Sequence, residues 1–131
     1  MAITLSEAQK VLRAAEASAK AQGINVSVSI VDPRGDLVAS VRMDGARFFT
    51  PDIARGKAMV SALFGQASAA FAERGSNPVM QSLNQMQQGR LVFGQGALPI
   101  THGTEVVGAV GVSGGTAQQD EDVAKAGLAA L

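Results

Sequence analysis

Apolar positions along the chain follow two rhythms. Between residues 5 and 22 they recur every third or fourth place, at Leu5, Ala8, Leu12, Ala15 and Ala19, which lines one face of a helix. Thr4 and Glu7 precede the stripe as a capping box, a hydroxyl and a carboxylate that each satisfy a free backbone amide. Gly23 can end the helix in the left-handed conformation. The rhythm then shortens to two. Asn25-Val26-Ser27-Val28-Ser29-Ile30 alternates, as do Leu37, Ala39, Val41 and Met43, and such alternation marks strands with one buried face. Asp32-Pro33-Arg34-Gly35 presets a turn between them, so an antiparallel hairpin is expected.

Helical spacing returns after Thr50-Pro51-Asp52, which offers a capping hydroxyl, a proline at the first helical position and a carboxylate near the positive end of the dipole. Ile53, Ala54, Ala58, Ala62 and Leu63 carry the stripe to Gly65. Shorter helices are predicted over 67–74 and from Asn77-Pro78 to about Gln88. Phe93-Gly94-Gln95-Gly96 reads as irregular backbone, Ala97 to Thr101 as a strand and His102-Gly103 as a tight turn. Glu105 to Ser113 reads as a strand in which Gly108 and Gly111 imply close approach of another backbone or a ligand. Thr116 and Gln119 form a second capping box before a last helix bearing Val123, Ala124 and Leu128. Hairpins with helices between and after them predict an α/β fold of the α+β type, an antiparallel sheet with helical layers, over one domain of residues 1–131.

Composition narrows the function classes. Eleven basic residues balance eleven acidic ones, so no global field holds the chain to nucleic acid or an anionic membrane. The absence of cysteine excludes thiolate nucleophiles and sulfur-built zinc sites. No apolar run approaches the roughly 20 residues of a membrane span, and Met1 to Leu5 has no basic leader pattern, so a cytoplasmic location is expected. An apolar content of 47% and the adjacent Phe48-Phe49 lead us to expect a homo-oligomer.

Four segments carry a family resemblance: Val31-Asp32-Pro33-Arg34-Gly35, Met43-Asp44-Gly45-Ala46, Asp52-Ile53-Ala54-Arg55-Gly56-Lys57-Ala58, and Gly108 through Asp120 with its Gly-Val-Ser-Gly-Gly core. In this order and spacing the chain resembles the GlcG/HbpS-like family. The resemblance implies about five antiparallel strands flanked by helices in a profilin- or PAS-like layout, homo-oligomers, and haem as a cofactor to test. That family has no agreed reaction, so function has to be argued from residues.

Asp52, Arg55 and Lys57 group on one helix, where a cation can clamp a carboxylate or propionate; an ion-paired solvated face is the plainer reading. Gly56-Lys57 is no phosphate loop, because Pro51 replaces its leading glycine and Ala58 its Ser or Thr. Gly111 to Thr116 joins a strand to a helix start, where free amides can hold an anion, or where glycines simply serve turn geometry. The ligand-binding candidates are therefore Arg55, Lys57, Arg90, Gly94, Gly96, Ser113 and Gly114. His102, the sole histidine, sits in a turn and reads as solvated rather than as an iron ligand. Met43, Met80 and Met86 read as core filling. No metal constellation is recognisable.

Three functions are consistent with this pattern. The first is a small-molecule binder for a haem-like ligand or a small organic acid. A small cofactor-free enzyme would use Lys57, Asp44 or His102 for proton transfer on a carbonyl or carboxylate substrate. A structural or partner-binding oligomer is the third.

Overall fold

A computed structural model describes all residues, 1–131. The first helix, α1 (Leu5–Gln22), starts and stops where its caps dictate: Thr4 and Glu7 close the capping box, and Gly23 adopts φ 71°. A hairpin follows, β1 (Ser27–Val31) and β2 (Leu37–Arg42). The Asp32 carboxylate accepts from the Arg34 and Asp36 amides and fixes its turn. Next come α2 (Thr50–Phe64), two short 3-10 helices (Ser68–Phe71 and Arg74–Ser76) and α3 (Pro78–Met86). The hairpin β3 (Ala97–His102) and β4 (Glu105–Ser113) leads to α4 (Ala117–Leu128), opened by the Thr116/Gln119 capping box.

The sheet runs β2-β1-β4-β3, every pair antiparallel. It has four strands where the resemblance implied about five. The stretch Leu91–Phe93 joins no ladder because it lies on α2 instead, the Val92 amide donating to Gly56 O. The segment 67–74 also departs from the sequence expectation. It forms 3-10 turns rather than an α-helix, and the Ser68 hydroxyl accepts from the Ala97 amide. That amide points out of the sheet, and its neighbour in the same outer row is Pro99, paired with Ala109.

The sheet's two faces differ. Val28, Ile30, Ile100, Val107, Val110 and Val112 meet Ala8, Val11, Ala15 and Ala19 of α1 and Val123 and Ala124 of α4 in the main core. On the other face lies α2, above Ser27, Ser29, Val31, Ala109 and Gly111. A Cβ on Gly111 would stand 2.0 Å from Ala54 O, so only glycine admits the helix at this depth. Hydroxyls are satisfied locally: Ser27 Oγ lies 2.8 Å from Thr50 Oγ1, and Ser29 Oγ 3.0 Å from Ser40 Oγ. This corrects the capping role expected of Thr50. Its buried hydroxyl donates to Arg47 O instead, and Phe49 occupies the cap position without a side-chain bond.

Candidate functional site

A glycine in mid-helix builds the first candidate. A Cβ at Gly56 would fall 2.3 Å from Val92 Cγ2 and 2.8 Å from Arg90 O, so its absence lets residues 90–92 lie directly on α2. Leu91 is held there by its amide, which donates to Asn84 Oδ1. The result is a cleft of about 300 Å³ lined by Asp52, Ile53, Arg55, Gly89, Arg90 and Val92. Arg90 is oriented by Nε donating to Gln87 O and Nη2 to Gln87 Oε1, and its Nη1 stands 3.9 Å from the Asp36 carboxylate. Arg55 differs: its Nε is the one buried side-chain nitrogen or oxygen without a hydrogen-bond partner. Asp52, three residues earlier, forms no ion pair with it.

Lys57 points to the opposite side of α2, and its side chain is only 9% exposed. The ammonium donates to Val112 O at 3.0 Å and to Asp120 Oδ2 at 3.1 Å, while Asp120 Oδ1 accepts from the Gly115 amide. Burial pushes the Asp120 carboxyl above its ordinary range, opposed by the Gly115 amide and by Lys57. Gly96 belongs to this knot, since a Cβ there would lie 2.9 Å from Lys57 Nζ, and Gly94 borders the Lys57 stem. The amine is therefore committed to protein partners. Asp120 was not singled out from sequence. Its signal lies in the helix stripe 120, 123, 124, 127, where one acid stands among Val123, Ala124 and Gly127. The stripe 54, 57, 58, 61 in α2 likewise places Lys57 among buried small residues.

Ser113 and Gly114 line a separate cleft of about 470 Å³ with Asn25, Arg47, Phe49, Thr50 and Gly115. There the Thr116 and Gly115 amides are already bonded to Gln119 and Asp120. Asp44 lines a third cleft with Glu16, Lys20 and Arg42. His102 lines a fourth, about 490 Å³, with Lys10, Pro99, Ile100 and Leu128. Its Nε2 lies 3.0 Å from Glu7 Oε2. Hydrogen bonds from the Thr4 amide and hydroxyl, then the nearby imidazole, hold the Glu7 carboxyl below its ordinary range. His102 ends β3, paired with Glu105, rather than lying in the turn expected from the sequence, and its side chain has a partner in Glu7. Lys57, Asp44 and His102, the three alternatives for proton transfer, stand at separate places in the fold. Arg55 and Arg90 are the candidates that the fold brings together. Of the methionines, Met43 and Met80 pack on cores, whereas Met86 is 77% exposed; Met59, not foreseen, is buried.

These elements define a three-layer α+β domain, an antiparallel four-stranded sheet with helices on both faces and polar clefts at the rims. The chain belongs to the HbpS-like family, described as haem-degrading protein HbpS-like, which it matches over residues 3–129. It is 35% identical, over 96% of its own length and 89% of the relative's, to an uncharacterised 15.0 kDa protein of the dhaT-dhaS intergenic region of Citrobacter freundii. The structure is similar to that of Klebsiella pneumoniae ORFY (TM-score 0.85, 33% identity, 98% and 89% of the two chains). It is also similar to a PduOC–haem complex (TM-score 0.87, 27% identity, 100% and 96%). The corrinoid adenosyltransferase PduO of Citrobacter freundii is 26% identical over the whole chain, which spans 39% of that protein. No helix is long and apolar enough to cross a membrane.

Proposed function

We propose that this is a small-molecule-binding protein whose ligand carries a carboxylate, received by Arg55 and Arg90 in the cleft between α2 and residues 89–92. One observation carries the reading: Arg55 Nε is buried without an acceptor in a side chain that lines this cleft. Leaving a buried donor unmade costs about 1–3 kcal/mol, and a ligand oxygen would recover that cost. Arg90 is preorganised by Gln87, which lowers the ordering cost of a second contact. Lys57, Gly94 and Gly96 support α2 rather than touch the ligand. The volume, about 300 Å³, lies at the lower end of the roughly 300–1,000 Å³ typical of ligand pockets and favours a small organic acid. Calorimetric titration with short carboxylates tests this. Binding that Arg55→Met abolishes supports the cleft, and binding indifferent to it assigns the ligand elsewhere.

Haem is the second reading, favoured by the relative whose haem complex is known. As arranged, His102 does not fit an axial role, because the ring nitrogen farther from the backbone is committed to Glu7. A haem would have to rest on apolar walls with its propionates on Arg or Lys. Haemin titration followed at the Soret band should therefore leave His102→Ala near wild type. A loss of affinity of about a hundredfold, close to 2.7 kcal/mol, would make His102 the ligand. We also propose a homo-oligomer, supported by Phe48 at 78% exposure beside Phe49. Light scattering that gives a mass near the 13.3 kDa of one chain would reject it.

A further inference from the structure

Asp52 is the unexplained member of the arginine cleft. It stands at i relative to Arg55 at i+3, a spacing at which opposite charges on a helix ordinarily meet, with Cβ atoms about 5–6 Å apart. Here they do not pair: the exposed Asp52 carboxylate has no hydrogen-bond or ion-pair partner in the protein, and Arg55 Nε is buried without an acceptor. One cleft is thus lined both by a residue whose carboxylate lacks a donor and by a residue whose Nε lacks an acceptor.

We propose that the cleft selects a small zwitterion of the α-amino acid class, its carboxylate on Arg55 and Arg90 and its ammonium on Asp52. This rests on the carboxylate reading above and narrows it. A plain carboxylate answers only the arginines and brings a second negative charge toward Asp52. A hydroxyl would also give Asp52 a donor, but an ammonium makes the stronger, charge-assisted bond. The size of the cleft, about 300 Å³, suits a free amino acid and leaves little room for a peptide.

The experiment is calorimetry of the full chain with L-alanine, propionate and L-lactate, three ligands of nearly one shape. The wild type should bind L-alanine about tenfold or more tighter than either acid, a difference of about 1.4 kcal/mol. Asp52→Asn should erase that preference while leaving propionate unchanged or tighter, and Arg55→Met should remove all binding. Propionate or lactate binding as tightly as L-alanine, through Arg55, overturns the zwitterion while the carboxylate reading stands. An Asp52→Asn variant that weakens all three ligands equally also overturns it. Absence of binding by all three removes both readings. Asp52 is exposed, and a circular dichroism spectrum unchanged in Asp52→Asn separates lost selectivity from lost folding.

Discussion

The two faces of the sheet solve the same packing problem with opposite materials. Toward α1 and α4 the strands present branched apolar side chains, Val28, Ile30, Val110 and Val112, that fill space by interdigitation. Toward α2 they present Ser27, Ser29, Ala109 and Gly111, and the helix comes close enough for backbone to meet side chain. The first face is held by apolar area, about 1.5–3 kcal/mol for each fully buried large side chain. The second has less area to bury and relies on contact distance and hydroxyl bonds, and one buried ion pair, Lys57 of α2 with Asp120 of α4, ties the two helical layers together. Both candidate arginines and the unpaired Asp52 stand at the outer rim of that second layer. A helix seated by backbone contact has little freedom to shift, which suits a structure that must hold charged groups in fixed register.

Breaking the ion pair that ties the two helical layers should have the largest effect. Lys57→Met leaves Asp120 buried without its cation and should cost about 3–5 kcal/mol in urea unfolding. The double variant Lys57→Met with Asp120→Asn keeps an acceptor for the Gly115 amide and should recover much of the loss; no recovery would mean that the pair is not the unit. Single methyl groups come next. Gly111→Ala adds one where Ala54 O leaves no space, at a cost of about 1–3 kcal/mol. Ile30→Val removes one from the opposite core, at about 0.5–1.5 kcal/mol. Equal tolerance of the two changes would mean that the two faces are packed alike.

The smallest effect is on pH dependence. Because burial raises the Asp120 carboxyl, the folded chain holds that proton more tightly than the unfolded chain. Its contribution to stability is then fullest below the unfolded value, about 3.9, and declines as pH rises through the folded value. The stability difference between wild type and Asp120→Asn should therefore shift in favour of wild type as the solution is acidified. A shift in the other direction would mean that the ion pair outweighs burial.

Most elements were legible in the sequence because their signals are local. The two capping boxes, the Gly23 stop and the alternation of Val28 and Ile30 need no distant partner, and α1, α4 and both hairpins lie where these patterns put them. The stretch 67–76 was not legible, since its course is set by Ser68 reaching Ala97 across the fold. Neither was the commitment of Lys57. From sequence it grouped with Arg55 as a ligand clamp or a solvated ion-paired face, yet positions two apart on a helix point about 200° apart, and Lys57 faces away from the arginine cleft. The convergence of Arg55 with Arg90 depends on Gly56 admitting residues 90–92 onto α2, a contact that helical periodicity does not encode.

The outer rim of β3 has a further consequence. At the middle of its outward row Pro99 offers no amide hydrogen, and the preceding outward amide, that of Ala97, is already bonded to Ser68. Across the sheet, β2 has neither a proline nor a covering element. Strand addition from another chain is thus discouraged at one border and permitted at the other. A sheet with a single extendable border can join its like once, border to border, and the joined pair then has only blocked borders left. The proline so placed is a terminator for strand addition at that border.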